Sequence, residues 1–137
     1  MTTTNTSRIV KLGDTDLTVR SPLEDIRGHT VIDQSGDEIG HVDALLIDDQ
    51  ERKVRFLQIA SGGILGIGEQ RFLVPVDAVL GVDDNQLVID QTGERVSGSP
   101  GYDPDLVYDR DYYRDLYNYY GYAPYWHPGY TYPAYPY

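Results

Sequence analysis

The chain has 137 residues, no cysteine and a formal net charge of −11. This charge repels phosphate backbones and argues against nucleic acid as a partner, while the lack of cysteine excludes disulfides, thiolate metal sites and thiol nucleophiles. No stretch has the h-region of a signal peptide or about 18 consecutive apolar residues, so we expect a cytoplasmic protein with no segment inserted into a membrane.

The first segment, residues 1–22, is polar and rich in threonine at its start. We predict an N-terminal leader that is partly disordered, because a terminal segment with few apolar residues has little to hold it to a core. A short strand is predicted within it around Leu17 and Val19, and Pro22 closes it.

Residues 23–97 show the strongest structural pattern, and it is a β pattern. Short β-branched runs alternate with polar turns about every 8–12 residues, as in small barrels and sandwiches. The predicted strands cover residues 29–33, 39–48, 54–60, 71–75 and 86–90. The run VRFLQIA is apolar on both faces, which is typical of a sheet that closes on itself, and VDAVL is compatible with one helical turn. We predict a mostly β fold, a small antiparallel barrel without parallel βαβ units.

A short helix is predicted after the β region, within the linker and helix segment 98–121. Asp103 can cap this helix, Pro104 suits its first position and Gly121 ends it. One face of the helix carries Leu106, Tyr113, Tyr117 and Tyr120. We expect this face to pack on the barrel.

The aromatic residues are concentrated at the C-terminal end of the chain. All 13 tyrosines lie between Tyr102 and Tyr137, and the single tryptophan, Trp126, lies among them. Prolines divide residues 122–137 and favour an extended backbone that makes no core of its own. We predict a mobile Tyr/Pro-rich tail here, and the sequence leaves open whether it packs on its own barrel, on a second subunit or on a partner.

Two loops are similar to ligand-binding motifs, and turns explain both better. DQSGDEIGHVDA places Asp33, Ser35 and Asp37 at calcium-loop positions 1, 3 and 5, but Ala44 stands where that loop needs a glutamate. GGILGIG has the glycines of a phosphate loop, but a strand follows where such a loop needs a helix. We interpret the first as a hairpin turn and the second as a bend.

The histidines, serines and carboxylates show no recognisable catalytic arrangement. His29, His41 and Asp43 could become neighbours across the first hairpin and bind a metal weakly, but no ligand spacing requires this. The serines in turns lie outside any G-x-S-x-G motif; they are Ser35, Ser61, Ser97 and Ser99. The turn acids, among them Asp48 and Asp83, are interpreted as solvated. We predict no catalytic residue, no metal site, no cofactor and no enzyme activity.

Five motifs occur in order from Asp25 to the end of the β region and just beyond it. They are RGHTVID, GDEIGHVDALLID, KVRFLQIA, LGIGEQRFLVPVDAV and SPGYDPDL. Together they make the segment from Asp25 to Val96, just over half of the chain, resemble a PRC-barrel domain. The resemblance implies a compact, mostly antiparallel β-barrel that serves protein contacts and has no known catalytic residues.

PRC-barrel domains occur in the cytoplasmic part of the photosynthetic reaction-centre H subunit and at the C-terminal end of a ribosome maturation factor. They also occur as small stand-alone bacterial proteins, to which this chain is most similar. No transmembrane helix and no second barrel precede the domain in this sequence. We therefore do not expect the membrane role or the ribosomal role to carry over.

The resemblance and the aromatic tail together predict a non-catalytic, adaptor-like interaction protein that forms a homodimer and binds an unknown protein partner. Tyr and Trp suit this role because they offer a large contact area at a low cost in side-chain entropy. The predicted contact residues are Tyr113, Tyr117, Tyr120, Tyr122, Tyr125, Trp126, Tyr130 and Tyr132. The alternative is a membrane-associated or H-subunit-like electron-transfer accessory, and an enzyme or metal-binding domain is the third hypothesis.

Overall fold

Seven strands and two α-helices make up most of the regular structure of the described residues. The structure is a computed structural model, and it describes residues 9–14, 25–61, 70–100 and 110–133. The strands are β1 (Ile9–Lys11), β2 (Thr30–Ile32), β3 (Glu38–Asp48), β4 (Val54–Ser61), β5 (Gln70–Pro75), β6 (Val79–Val82) and β7 (Gln86–Ile89). The helices are α1 (Gly93–Ser97) and α2 (Arg110–Tyr120), and 3-10 turns cover Leu12–Asp14 and Val76–Ala78. The predicted mostly β fold with a C-terminal helix is confirmed.

The strands form one curled sheet, a half-barrel in the order β5-β4-β3-β2-β7-β6, with β1 also paired to β3. The long strand β3 has three partners, because β2 and β1 lie in succession along one edge and β4 lies along the other. Its pairing with β4 shifts register between Val42 and Ala44 and again between Leu46 and Ile47. Such irregularities bend a strand and increase its twist, and we attribute the curl of the sheet to them.

One pair of strands is parallel, which is a departure from the small antiparallel barrel that the sequence predicts. Strands β2 and β7 run in the same direction with Val31 opposite Leu87, whereas the other pairs that the described residues form are antiparallel. No crossover helix is needed, because the intervening strands are themselves part of the sheet and its curl returns the chain to β2. The sheet is therefore mixed.

The sheet begins earlier in the chain than the sequence predicts. The predicted strand around Leu17 and Val19 lies outside the described residues, but β1 pairs with β3 and places Ile9 opposite Asp48. Ile9 and the following Leu12 are buried in the core. This part of the predicted leader therefore belongs to the sheet.

Helix α2 lies against the sheet and ends where the sequence predicts. Its predicted start at Asp103 and Pro104 lies outside the described residues. It ends at Tyr120, and Gly121 adopts a φ of +88°, a conformation that glycine takes without strain at a helix terminus. The helix packs on β5 and on the ring of Phe56 in β4. Helical cover therefore contributes to the burial of β4, together with the curl of the sheet.

Helix α1 is absent from the predicted elements, because five residues are too few to show an apolar period. Its N-terminal signal is Thr92, whose Oγ1 accepts a hydrogen bond from the backbone N–H of Arg95 at 3.2 Å. Helix α1 contacts α2 through Arg95 and Tyr119. The Tyr119 hydroxyl donates to the carbonyl oxygen of Arg95 at 2.6 Å, and the Arg95 guanidinium lies 4.8 Å from the centroid of the Tyr119 ring.

Gly40 in β3 is a position where we expect no side chain to be tolerated. A Cβ on Gly40 would lie 2.2 Å from the carbonyl oxygen of Ala60, and β4 cannot move away without breaking its pairing with β3. We expect Gly40→Ala to lower the free energy of unfolding by about 1–3 kcal/mol in urea denaturation. Gly81→Ala in β6 is the control, because a Cβ there meets nothing within 4 Å. Equal losses in both variants would contradict the close approach as the cause.

Candidate protein-contact site

The described part of the C-terminal tail, residues 122–133, lies against the protein's own sheet, and we call it the aromatic strap. Its tyrosine hydroxyls reach β4, the 3-10 turn Val76–Ala78 and the segment that follows β7. The backbone of the strap is not a strand. Of the alternatives that the sequence leaves open for the tail, packing on its own barrel is therefore the one that these residues show.

The predicted contact residues fall into two groups by exposure. Four are buried in the protein's own core: Tyr113, Tyr117, Tyr120 and Tyr125. The other four are partly buried and pack against that core: Tyr122, Trp126, Tyr130 and Tyr132. While the fold is intact, the second group presents most of the surface that a partner could reach.

Arg55 in β4 is the centre of the contacts that the strap makes. Its side chain is 2% exposed. Three tyrosine rings of the strap surround the guanidinium, with Cζ 4.3 Å from the ring centroid of Tyr125, 5.5 Å from that of Tyr132 and 6.0 Å from that of Tyr130. Tyrosine rings attract a cation through the negative potential of their faces. The strap thus covers a buried positive charge with aromatic surface.

Two carboxylates, one at the end of β3 and one in the turn that follows it, balance the charge of Arg55. Its Nε donates to Oδ2 of Asp48 at 2.8 Å, and its Nη2 donates to Oε1 of Glu51 at 2.5 Å. Burial alone would lower the pKa of Arg55, but the hydrogen bond and the charge of Asp48 raise it. The side chain of Asp48 is 0% exposed, so the interpretation of this residue as a solvated turn acid is wrong. A buried carboxylate needs a charged partner, and Arg55 is that partner.

Three hydroxyls of the strap donate to the body of the domain. Tyr130 donates to Oδ2 of Asp77 at 2.8 Å, Tyr132 donates to the carbonyl oxygen of Val54 at 3.0 Å, and Tyr122 donates to Asp90. Burial raises the pKa of Tyr132 to about 12. Burial beside a carboxylate also raises the pKa of Tyr122 and of Tyr130. All three phenols therefore remain protonated donors at neutral pH.

A continuous series of ring contacts joins the sheet, helix α2 and the strap. The centroid of Phe56 lies 5.2 Å from that of Tyr113 and 5.0 Å from that of Tyr117. Tyr117 meets Trp126 edge-on at 6.0 Å, and Trp126 meets Tyr125 edge-on at 5.1 Å. Aromatic pairs of this kind contribute about 0.5–1.5 kcal/mol each beyond their buried area. The strap is therefore an extension of the aromatic core.

Asp77 is the acidic group of the site that lacks a full set of partners. Its Oδ1 is buried and accepts no hydrogen bond from the described residues. Burial raises the pKa of this carboxyl, and the hydrogen bond from Tyr130 and the charge of Arg55 oppose that shift without cancelling it. The folded state thus holds the proton more tightly than the unfolded state. Protonated Asp77 therefore contributes to the stability of the folded state. This contribution is complete below the pKa that Asp77 has in the unfolded chain, and it is lost as the pH rises through the raised pKa of the folded state.

We expect Asp77→Asn to stabilise the protein near neutral pH, because burial raises the pKa of the wild-type carboxyl and so disfavours its charged form. The asparagine oxygen can still accept the hydrogen bond from Tyr130, and its amide removes the charge. The urea midpoint of the variant should exceed that of the wild type near neutral pH, and the gain should shrink at acidic pH, because the wild-type carboxyl takes up a proton as the pH falls. A loss of stability both near neutral pH and at acidic pH would contradict the unfavourable burial of this charge.

Two of the candidate metal ligands, His29 and Asp43, have other partners in the structure. His29 contacts the carbonyl oxygen of Asp83 through Nε2 at 2.9 Å, and His41 is exposed. Asp43 accepts a hydrogen bond from Nε of Arg71 at 2.9 Å, which lowers the pKa of the carboxyl. Within the described ranges, no three His, Cys, Asp or Glu side chains lie close enough together to hold a metal ion.

The turn at Asp33 and the serine Ser61 also have structural partners. Oδ1 of Asp33 accepts the backbone N–H groups of Ser35 at 2.9 Å and Asp37 at 3.0 Å, which confirms the hairpin turn. The hydroxyl of Ser61 donates to the carbonyl oxygen of Ile39 at 2.6 Å. The glycine-rich loop at residues 62–68 lies outside the described residues.

Sequence reasoning missed the importance of Arg55, although the sequence carries a signal for it. In the run VRFLQIA, Arg55 and Gln58 are the polar residues of a strand that is otherwise apolar on both faces. A charge in a strand that is buried on both sides must find an opposite charge or an aromatic cover. This rule would have predicted a buried ion pair, without naming Asp48 as its partner.

A sequence model of the PRC-barrel domain matches residues 9–96. The match covers more than half of the chain and includes every strand of the described sheet. It includes Arg55, Asp48 and Asp77, whereas the aromatic strap lies beyond it. No curated protein matches the chain. Across the described ranges, no helix combines the length and the apolar character needed to cross a bilayer.

Proposed function

The chain belongs to the PRC-barrel domain family, and we propose that it is a non-catalytic, adaptor-like interaction protein that self-associates as a homodimer through its aromatic strap. The half-barrel and its buried charges hold the strap in place. The partly exposed rings of the strap then form the contact surface. This proposal extends the interaction or accessory role that membership of the family suggests.

The observation that supports the proposal most strongly is that partly exposed aromatic rings are already held in position. Tyr130 and Tyr132 are held through their hydroxyls, and Trp126 is held through its ring contacts and by Arg110, whose Cζ lies 4.8 Å from the ring. Ordering side chains at an interface costs about 0.5–1.5 kcal/mol for each flexible group. Rings that are ordered beforehand avoid this cost, and Tyr and Trp are enriched among the residues that dominate binding energy.

Charge gives this interface a predictable dependence on salt. Two copies of a chain with a net charge of −11 repel each other at long range. The contact must therefore depend on aromatic burial more than on long-range attraction. We expect self-association to strengthen as the ionic strength rises from about 0.01 M to about 0.15 M, because the screening length falls over this range.

Sedimentation velocity of the full chain over a range of concentrations tests the proposal. We expect a monomer–dimer equilibrium whose dissociation constant rises at least about tenfold in Trp126→Ala, since a buried aromatic anchor contributes about 2 kcal/mol or more. Asn118→Ala, at an exposed position of α2 outside the strap, should leave the constant unchanged. A wild-type chain that stays monomeric at every concentration would contradict self-association, and an unaffected dimer in Trp126→Ala would contradict the aromatic surface.

A further inference from the structure

The aromatic strap is attached to the body of the domain through side chains. Its three hydroxyl contacts and the rings around Arg55 are all side-chain interactions on the strap's part. The backbone hydrogen bonds that the described strap residues show are local and none reaches the sheet. Tyr122 N–H donates to Tyr117 O at the end of α2 at 2.9 Å, His127 N–H donates to Pro124 O at 3.0 Å, and Tyr130 N–H donates to His127 O at 3.0 Å. The strap can therefore leave the sheet without breaking any of the strand pairings.

Gly121 is the residue that connects the strap to the end of helix α2. The helix itself is fixed, because Tyr113, Tyr117 and Tyr120 are buried in the core. Gly121 has a φ of +88° and can adopt other backbone conformations more easily than any other residue. Prolines at three positions of the strap restrict its backbone whether or not it is docked, so release brings little gain in entropy. A change in the backbone conformation of Gly121 can thus move the strap away from the sheet while the strap keeps a restricted backbone of its own.

The surface beneath the strap is costly to leave open. Arg55 is 2% exposed with the strap in place, and the Tyr130 hydroxyl supplies the hydrogen bond that Asp77 accepts. Without the strap, the guanidinium loses the three rings around it and this carboxylate loses its donor. An identical strap from a second copy restores every one of these contacts. The site can therefore bind the strap of a second copy as well as the strap of its own chain.

We propose that the strap is exchanged between copies, so that in the dimer the strap of each chain occupies the Arg55–Asp77 site of the other. Each site is then completed by Tyr125 and Tyr130 of the partner subunit. The inference rests on the proposed self-association and adds exchange to it: each strap is held on the body of the other copy, and its partly exposed rings still lie where the two copies meet. The tethered strap competes at an effective concentration on the order of millimolar, so the closed monomer predominates in dilute solution and exchange becomes extensive as the protein concentration approaches that range.

Isotope-mixed crosslinking of the full chain tests the exchange. The chain has no natural cysteine, so the double variant Lys53→Cys/Thr131→Cys carries one thiol on the body and one on the strap. Both positions are exposed, and Lys53 Nζ lies 5.0 Å from the centroid of the Tyr132 ring in the closed form. Unlabelled and ¹⁵N-labelled chains are mixed in equal amounts at high concentration, treated with a short bis-maleimide and analysed as peptides by mass spectrometry.

Exchange predicts crosslinks between a body and a strap that differ in label, in either combination, and together these rise with the dimer fraction towards about half of all links between positions 53 and 131. The control pair Asp43→Cys/Arg71→Cys joins two positions of the body whose side chains lie in contact, and its links should stay within one chain in every mixture. If a dimer forms and its 53–131 links all stay within one chain, exchange is overturned and the proposed self-association stands. If no dimer forms at any concentration, both are overturned.

Discussion

Arg55→Ala is expected to lower the free energy of unfolding by about 3–5 kcal/mol, because it leaves the fully buried carboxylate of Asp48 without its charged partner. The substitution also removes the cation that lies 4.3 Å from the Tyr125 ring. Urea denaturation monitored by circular dichroism measures the loss. The emission of Trp126, which packs against Tyr125, reports in the same experiment whether the strap separates before the sheet unfolds.

Arg114→Ala is the matched control for Arg55→Ala. Arg114 pairs with Asp111 at 3.0 Å on the exposed side of α2, where the two side chains are 52% and 70% exposed. Exposed pairs of this kind contribute at most about 0.5 kcal/mol on a helix. A loss of similar size in both variants would show that the buried position of Arg55 has no special role.

A second comparison separates the charge of Arg55 from its volume. Arg55→Met keeps an extended side chain but leaves the charged Asp48 with backbone N–H donors and no cation, whereas Arg55→Met with Asp48→Asn removes both charges. Replacing a complete buried ion pair is often close to neutral, while breaking it is strongly destabilising. We therefore expect the double variant to be more stable than Arg55→Met alone. The reverse order would show that Asp48 needs no cation in this turn.

Tyr117→Ala is also expected to lower the free energy of unfolding by about 3–5 kcal/mol. Tyr117 is 0% exposed, and its ring joins Phe56 in the sheet to Trp126 in the strap. Truncation at this position opens a cavity between the three layers that none of them can fill alone. The urea midpoint measures the stability, and an unchanged midpoint would contradict the placement of this ring in the core.

Tyr117→Phe should not lower the stability of the protein. It keeps the ring and removes a hydroxyl that is buried without a hydrogen-bond partner among the described residues. Removing an unsatisfied buried polar group leaves stability unchanged or raises it by up to about 1 kcal/mol. Tyr119→Phe on the same helix is the control, since the Tyr119 hydroxyl donates to Arg95 at 2.6 Å and its loss should be destabilising. If Tyr117→Phe is the more damaging of the two, its hydroxyl has a partner in solution.

Much of the sheet follows from local sequence patterns. The β-branched runs of β2, β3, β4, β5 and β7 and the turn at Asp33 are predicted close to their observed bounds, because alternation and turn residues act over a few neighbouring positions. Strands β1 and β6 and helix α1 are missed since each is too short to show a period. The parallel pairing of β2 with β7 is missed for another reason. It joins segments far apart in the chain, and no local pattern encodes which distant strand becomes a neighbour.

The candidate site is less predictable than the sheet. Aromatic composition predicts a contact surface within residues 122–137, and the end of the preceding helix at Gly121 is also visible in the sequence. What the strap contacts is not visible, because an extended Pro-rich segment has no period that orients its side chains. Its location depends on Arg55 and Asp77, which come from two different elements and meet only in the folded sheet.

The sequence by itself determined the class of fold, the turns, the end of the C-terminal helix and the concentration of aromatic surface in the last part of the chain. These properties depend on residue types and spacings over short distances. Tertiary structure alone decided that the aromatic strap folds back over its own domain and that Arg55 lies at its centre. The physical reason is that a buried cation must be covered and neutralised, and only the folded chain brings Asp48, Asp77 and the strap tyrosines to one place.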